Sequence, residues 1–149
     1  MDISSPAFSD GDLIPEKYGY KRENVSPPVK FSGVPEETES LVLIADDPDA
    51  EEPAGKIWTH WLMWNIPPET DGIGEGEEPI GAREGMNDFG DRGYGGPHPP
   101  DGEHTYRFKL YALDTELDLN DASEKEDLEE ALEDHIISEA LLKGRFRPL

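Results

Sequence analysis

The sequence predicts a mainly β fold of antiparallel strands with one C-terminal α-helix. Three observations carry that prediction. Fourteen prolines and fifteen glycines among 149 residues leave few stretches long enough for a helix. Residues 40–47, 56–68 and 104–114 read as strands by apolar run or by alternation. Only the stretch after Ser123 repeats its apolar residues at helical spacing. The length suits a single domain over residues 1–149, and neither a repeat nor an internal linker is visible.

The first forty residues read as loops with short strands, one of them Val29–Phe31 in "PPVKFSGVP". "SLVLIADD" is a continuous apolar run ending in acids, the pattern of a strand buried on both faces. In "KIWTHWLMWNIPP", strict alternation puts Trp58, His60, Leu62, Trp64 and Ile66 on one face and Thr59, Trp61 and Met63 on the other. Both faces are largely apolar, so this strand is expected to be central. Residues 67–103 are rich in Gly, Pro and Asp, and a loop of that length either has a function or hides short strands. In "HTYRFKLYALD", His104, Tyr106, Phe108 and Leu110 point one way while Thr105, Arg107 and Lys109 point the other. The helix is expected to begin with a capping box at Ser123 and Glu126. Its apolar stripe would run through Leu128, Ala131, Leu132, His135, Ile136 and Ala140, and Gly144 would stop it.

Asp and Glu total 35 against 13 Lys and Arg, a formal net charge of −22. The acids are spread over the whole chain, which argues against a dedicated acidic tail. Self-repulsion of this size opposes compaction unless salt screens it, so the composition predicts a salt-adapted cytoplasm. It also argues against nucleic acid and anionic membranes as partners. There is no cysteine, hence no disulfide or thiolate chemistry. The start "MDISSPAF" has no signal-peptide pattern, and the longest apolar run, "LVLIA", is too short to span a bilayer, so no stable membrane insertion is expected.

Four pieces carry possible chemistry. In "ADDPDAEEPAG" a buried strand ends in Asp46 and Asp47, followed by Pro48 and Asp49. Carboxylates held by a proline at a strand end orient a histidine or a ligand, or simply form an Asp-Pro turn. His60 lies inside the central strand and needs a hydrogen-bond partner, either a backbone carbonyl or a carboxylate such as Asp47. The loop "GGPHPPDGEHTY" is stiff, and its glycines permit close backbone approach, so it serves as an anion nest or as a rigid connector. His104 and Tyr106, two apart on a strand, present an imidazole and a phenol to the same side. No zinc spacing, Gly-x-Ser-x-Gly elbow or other convincing nucleophile is present, so neither a metal nor a cofactor is expected.

Taken in order, "FSDGDLIPEKYG…ENVSPPVKFSGVP", "LVLIADDPDA", "WTHWLMWNIP" and "GYGGPHPPDGEHTYRFKLYALD" resemble the phosphatidylethanolamine-binding protein family, in its bacterial and archaeal Raf-kinase-inhibitor-like branch. The resemblance covers nearly the whole chain. It implies a Greek-key-like antiparallel sheet domain with a small pocket for phosphate or a phosphorylated head group. The implied ligand-binding residues are Asp47, Asp49, His60, Gly96, Pro97, His104 and Tyr106. It implies a binding and regulatory module, an inhibitor of a kinase or protease, rather than an enzyme. Partners would be the small anion, a protein target and, as in many prokaryotic members, a second copy in a homodimer. The alternative function is a hydrolase in which Asp47 orients His60 as a general base. Two departures stand out: Glu51-Glu52 precede Pro53 where a proline commonly follows "DPDA", and Thr105 replaces an arginine. A surface ion pair rather than a ligand contact is expected to be lost at Thr105.

Overall fold

A computed structural model describes all of residues 1–149. Eight strands are present: β1 (Asp2–Ser4), β2 (Val29–Ser32), β3 (Ser40–Asp47), β4 (Trp58–Ile66), β5 (Gly72–Ile73), β6 (Arg83–Glu84), β7 (His104–Leu113) and β8 (Ile136–Phe146). Two short helices accompany them, α1 (Glu51–Ala54) and α2 (Lys125–Leu132). The main sheet has the order β6-β4-β3-β7-β8 and the smaller one β1-β2-β5, and all the pairings are antiparallel. The long 67–103 segment contains the short strands β5 and β6.

Every residue of β3 is buried, as its unbroken apolar run requires. Leu41, Leu43 and Ala45 join Trp61, Met63, Phe108 and Leu110 in the larger core, with Ile3 and Phe31 of the smaller sheet. Val42 and Ile44 face the other way, onto Leu62, Trp64 and the α2 residues Leu128 and Leu132. No helix is long and apolar enough to cross a membrane.

β4 does not keep strict alternation. Ala45 pairs with Trp61 and Asp46 with Thr59, so His60 is the extra residue of a bulge. A second irregularity brings Leu41 opposite Ile66 and Leu43 opposite Met63, beside Asn65 at φ 53°. Trp61, Met63 and Ile66 therefore share the larger core, while Leu62 and Trp64 face α2. The expected grouping of Trp58 through Ile66 on one face is broken twice.

The C-terminal helix is shorter than expected. It starts one residue later, with Glu124 and Asp127 forming the capping box in place of Ser123 and Glu126. It ends at Leu132, and Asp134 at φ 69° turns the chain into β8. Ile136 and Ala140 fit the helical and the extended period alike. Pairing along all of β7 decides for the strand, because it satisfies the backbone polar groups of both segments. His135, placed after the helix, bonds Asp114 at 2.7 Å. Gly144 stops no helix. A Cβ there would sit 2.5 Å from Ile14, so the glycine lets the N-terminal segment pack across the sheet. That segment also runs along the end of β8: Gly11 N–H donates to Lys143 O at 2.8 Å and Ile14 N–H to Arg145 O at 2.8 Å.

Candidate functional site

The end of β3, the bulge in β4 and the start of β7 meet at one end of the three central strands of the main sheet. Between them lies a cleft of about 230 Å³ lined by Asp47, His60, His104 and Tyr106, with Trp58 and Phe89 as apolar walls. The Tyr106 ring stands between the two histidines, 5.2 Å from His60 and 6.3 Å from His104, centroid to centroid.

Asp47 and Asp49 tie the strand end to β7. Asp47 Oδ1 accepts the Asp49 N–H at 3.0 Å, the Asx-type turn expected of an Asp-Pro-Asp sequence. Asp47 Oδ2 accepts from His104 Nδ1 at 2.6 Å, and Asp49 accepts the Thr105 N–H at 2.9 Å. Asp49 thus positions β7 and does not line the cleft.

The partner of His60 is not Asp47. Its Nδ1–H donates to the Gly95 carbonyl at 2.6 Å, while the Gly95 N–H returns a bond to His60 O at 2.8 Å. A carbonyl only accepts, so the proton is on Nδ1 and Nε2 is a bare acceptor. Burial lowers the His60 pKa to about 4, against the pull of the Gly95 carbonyl, and the ring is neutral at neutral pH. The carboxylate–imidazole dyad expected of Asp47 and His60 is formed with His104 instead. The bulge in β4 and the bond to the Gly95 carbonyl hold the His60 ring elsewhere, while β7, paired with β3 on its other side, brings His104 to the carboxylate.

His104 has a carboxylate on each nitrogen, Asp47 at Nδ1 and Asp101 at Nε2, both at 2.6 Å. Burial pulls its pKa down, but the two carboxylates outweigh burial and the net shift is upward. His104 is the positive charge of the cleft, since no lysine or arginine lines it. Burial raises the Asp47 carboxyl above its ordinary value, against the stabilising pull of His104. Burial and the nearby Asp47 charge hold the Tyr106 phenol well above its usual range, so it remains an O–H donor. Asp47 and the His98 backbone lie near that hydroxyl, but neither makes a hydrogen bond of good geometry with it, and the buried Trp58 indole N–H also lacks one.

Gly96 and Pro97 lie behind the cleft. The Gly96 N–H donates to Asn24 Oδ1 at 2.7 Å, and a Cβ there would lie 2.0 Å from the Tyr18 carbonyl oxygen. The Pro97 carbonyl accepts from Tyr20 N–H at 3.0 Å. The loop backbone that was expected to cradle an anion is engaged by residues 18–24. His98 lines the rim, 5.9 Å from the Tyr20 ring, which stacks on Phe89 at 3.9 Å.

Trp58, Phe89, Gly95 and Asp101 were not among the expected site residues. Trp58 had a signal, being two before His60 on one strand, and Asp101 had the spacing Asp-x-x-His. Phe89 and Gly95 sit in loops where no periodicity marks them. No group of three or more His, Asp or Glu side chains is arranged to hold a metal ion.

The fold and cleft define a class: two-sheet antiparallel β proteins with an aromatic-walled cleft over a buried carboxylate–imidazole pair. The chain belongs to the phosphatidylethanolamine-binding protein family, whose model matches residues 4–147. It is 49% identical over 152 residues to a UPF0098 protein of the archaeon Methanothermobacter thermautotrophicus, covering 99% of both chains. It is 43% identical over 148 residues to one of Chlamydia trachomatis, covering 98% of both. A crystal structure of a putative phosphatidylethanolamine-binding protein homologue from C. trachomatis superposes with a TM-score of 0.91 at 42% identity, covering 97% of this chain and 95% of that one. Escherichia coli YbcL gives 0.91 at 31% identity, covering 97% and 96%. Within that family, the chain is of the bacterial and archaeal type.

Proposed function

We propose that this protein binds a small phosphorylated anion in the cleft and acts as a regulatory module, of the kind that restrains a kinase or protease. One observation carries the ligand reading: a buried Tyr106 hydroxyl without a good hydrogen bond, in the wall of a cleft whose positive group is the Asp47-paired imidazolium of His104. A buried donor left open calls for a water or a ligand oxygen. The bare His60 Nε2 adds a requirement, because it accepts only from a ligand that carries a hydrogen. Phosphate near neutral pH and phosphomonoesters in their monoanionic form have such a hydrogen; sulfate has none.

The test is a titration of inorganic phosphate against sulfate at constant ionic strength, read by the ring signals of His60 and His104. Phosphate is expected to shift both, and sulfate to bind more weakly. Absence of any shift with millimolar phosphate would sink the reading. The hydrolase alternative loses its motivation with the Asp47–His60 dyad. The regulated partner is sought by affinity capture, with competition by phosphate marking a contact made through the cleft.

A further inference from the structure

Two carboxylates flank His104, and they differ in kind. Asp47 is 4% exposed and fixed by the Asp49 N–H. Asp101 is 53% exposed, comes from the loop rather than a strand, and makes no hydrogen bond except the one to His104 Nε2. Its neighbour Gly102 has open space where a side chain would stand. Glu103, one residue further on, is held away from the cleft by Arg145 and Arg147 at 3.1 and 3.2 Å. The start of β7 is therefore anchored while the Asp101 carboxylate is free to rotate outward.

We infer that Asp101 is an intramolecular competitor of the ligand: its carboxylate occupies the His104 Nε2–H that a ligand oxyanion would take, and the ligand must displace it. This inference rests on the reading of the cleft as an anion site. With both Nδ1–H and Nε2–H engaged, His104 has no donor left for a third oxygen. Asp47 and His104 together are neutral, so Asp101, on the outer nitrogen of His104, leaves this cluster with a net negative charge, and its departure removes that charge. A carboxylate three residues away is present at high effective concentration, so an anion with one contact loses to it. An oxyanion that also takes the Tyr106 hydroxyl and donates to His60 Nε2 has two further contacts with which to win. Asp101 is in this way a specificity-determining residue, selecting multiply bonded phosphates over simple monoanions.

The experiment compares inorganic phosphate binding to the wild type, Asp101→Ser and Asp101→Asn at constant ionic strength, read by histidine ring NMR. Asp118→Asn, an exposed acid that does not line the cleft, controls for the change in net charge. Thermal melts confirm that each variant is folded, and either Asp101 variant alone is sufficient. The expected result is roughly three- to tenfold tighter binding by the Asp101 variants, the scale of one half-exposed charge pair, with no gain for Asp118→Asn. Equal or weaker binding by the Asp101 variants overturns the inference and leaves the anion reading standing. Failure of every form to bind phosphate overturns both.

Discussion

Asp46 and Asp47 are consecutive residues at the end of one buried strand, and alternation sends them to opposite faces of the sheet. On its face Asp46 meets three cations: Arg107 at 2.8 Å, Lys109 at 2.9 Å and Lys125 at 2.8 Å. Burial alone would raise its pKa, but those partners outweigh it and bring the value down to about 2. Asp47 meets one imidazolium, and its pKa moves the other way. The first carboxylate is enclosed by more positive charge than it needs. The second stands in a cleft beside an unpartnered tyrosine hydroxyl. Two identical side chains one residue apart thus divide the labour, one holding β3, β7 and α2 together and the other pairing with a histidine in the cleft.

The strongest way to break that contrast is Asp46→Ala. It leaves three cations gathered without their anion, and a loss on the order of 3–5 kcal/mol is expected in denaturant unfolding, as for breaking a buried ion pair. Acid tests the cleft side. The His60 pKa is about 4 when folded against 6.5 when not, so the folded state prefers the neutral ring. Its contribution is fully present above pH 6.5 and falls away as the pH drops toward 4. The wild type should lose about 3 kcal/mol more than His60→Gln over that window, seen as a steeper fall in unfolding free energy. His104 has the opposite sign. Its raised pKa contributes stability at pH below 6.5 that is lost as pH climbs through the folded value. Asp47→Asn should reduce that alkaline loss, leaving only the contribution of Asp101, cost about 1–3 kcal/mol, and weaken phosphate binding. Tyr106→Phe should have the smallest effect on folding, within about 1 kcal/mol of wild type, because its hydroxyl has no partner to lose. Phosphate affinity should still fall, separating a binding role from a structural one.

The outlines of β3 and β7 were readable because each keeps a single pattern over many residues. β8 was not, since "IISEALL" suits helix and strand alike and only its ladder with β7 settles the matter. The same limit applies at the site. Strand ends and parity offered Asp47, His60, His104 and Tyr106 as separate candidates and the family resemblance joined them into one site; the structure brings them to one cleft. Their pairing could not be read. Which carboxylate reaches which imidazole depends on strand order, on a one-residue bulge at His60 and on a glycine carbonyl contributed by a loop. None of these leaves a periodic trace. Gly96 and Pro97 show the converse: a stiff Gly-Pro pair signals tight packing, here against residues 18–24, without saying what is packed.

The N-terminal strap across the end of β8 joins residues 11–14 to residues 143–145. During synthesis, residues 11–14 therefore have no edge to lie on until residues 143–145 have left the ribosome. Contacts of such long sequence separation are slow to form, because the loop they close is costly in entropy. The strap is expected to close late in folding, once β8 has joined β7.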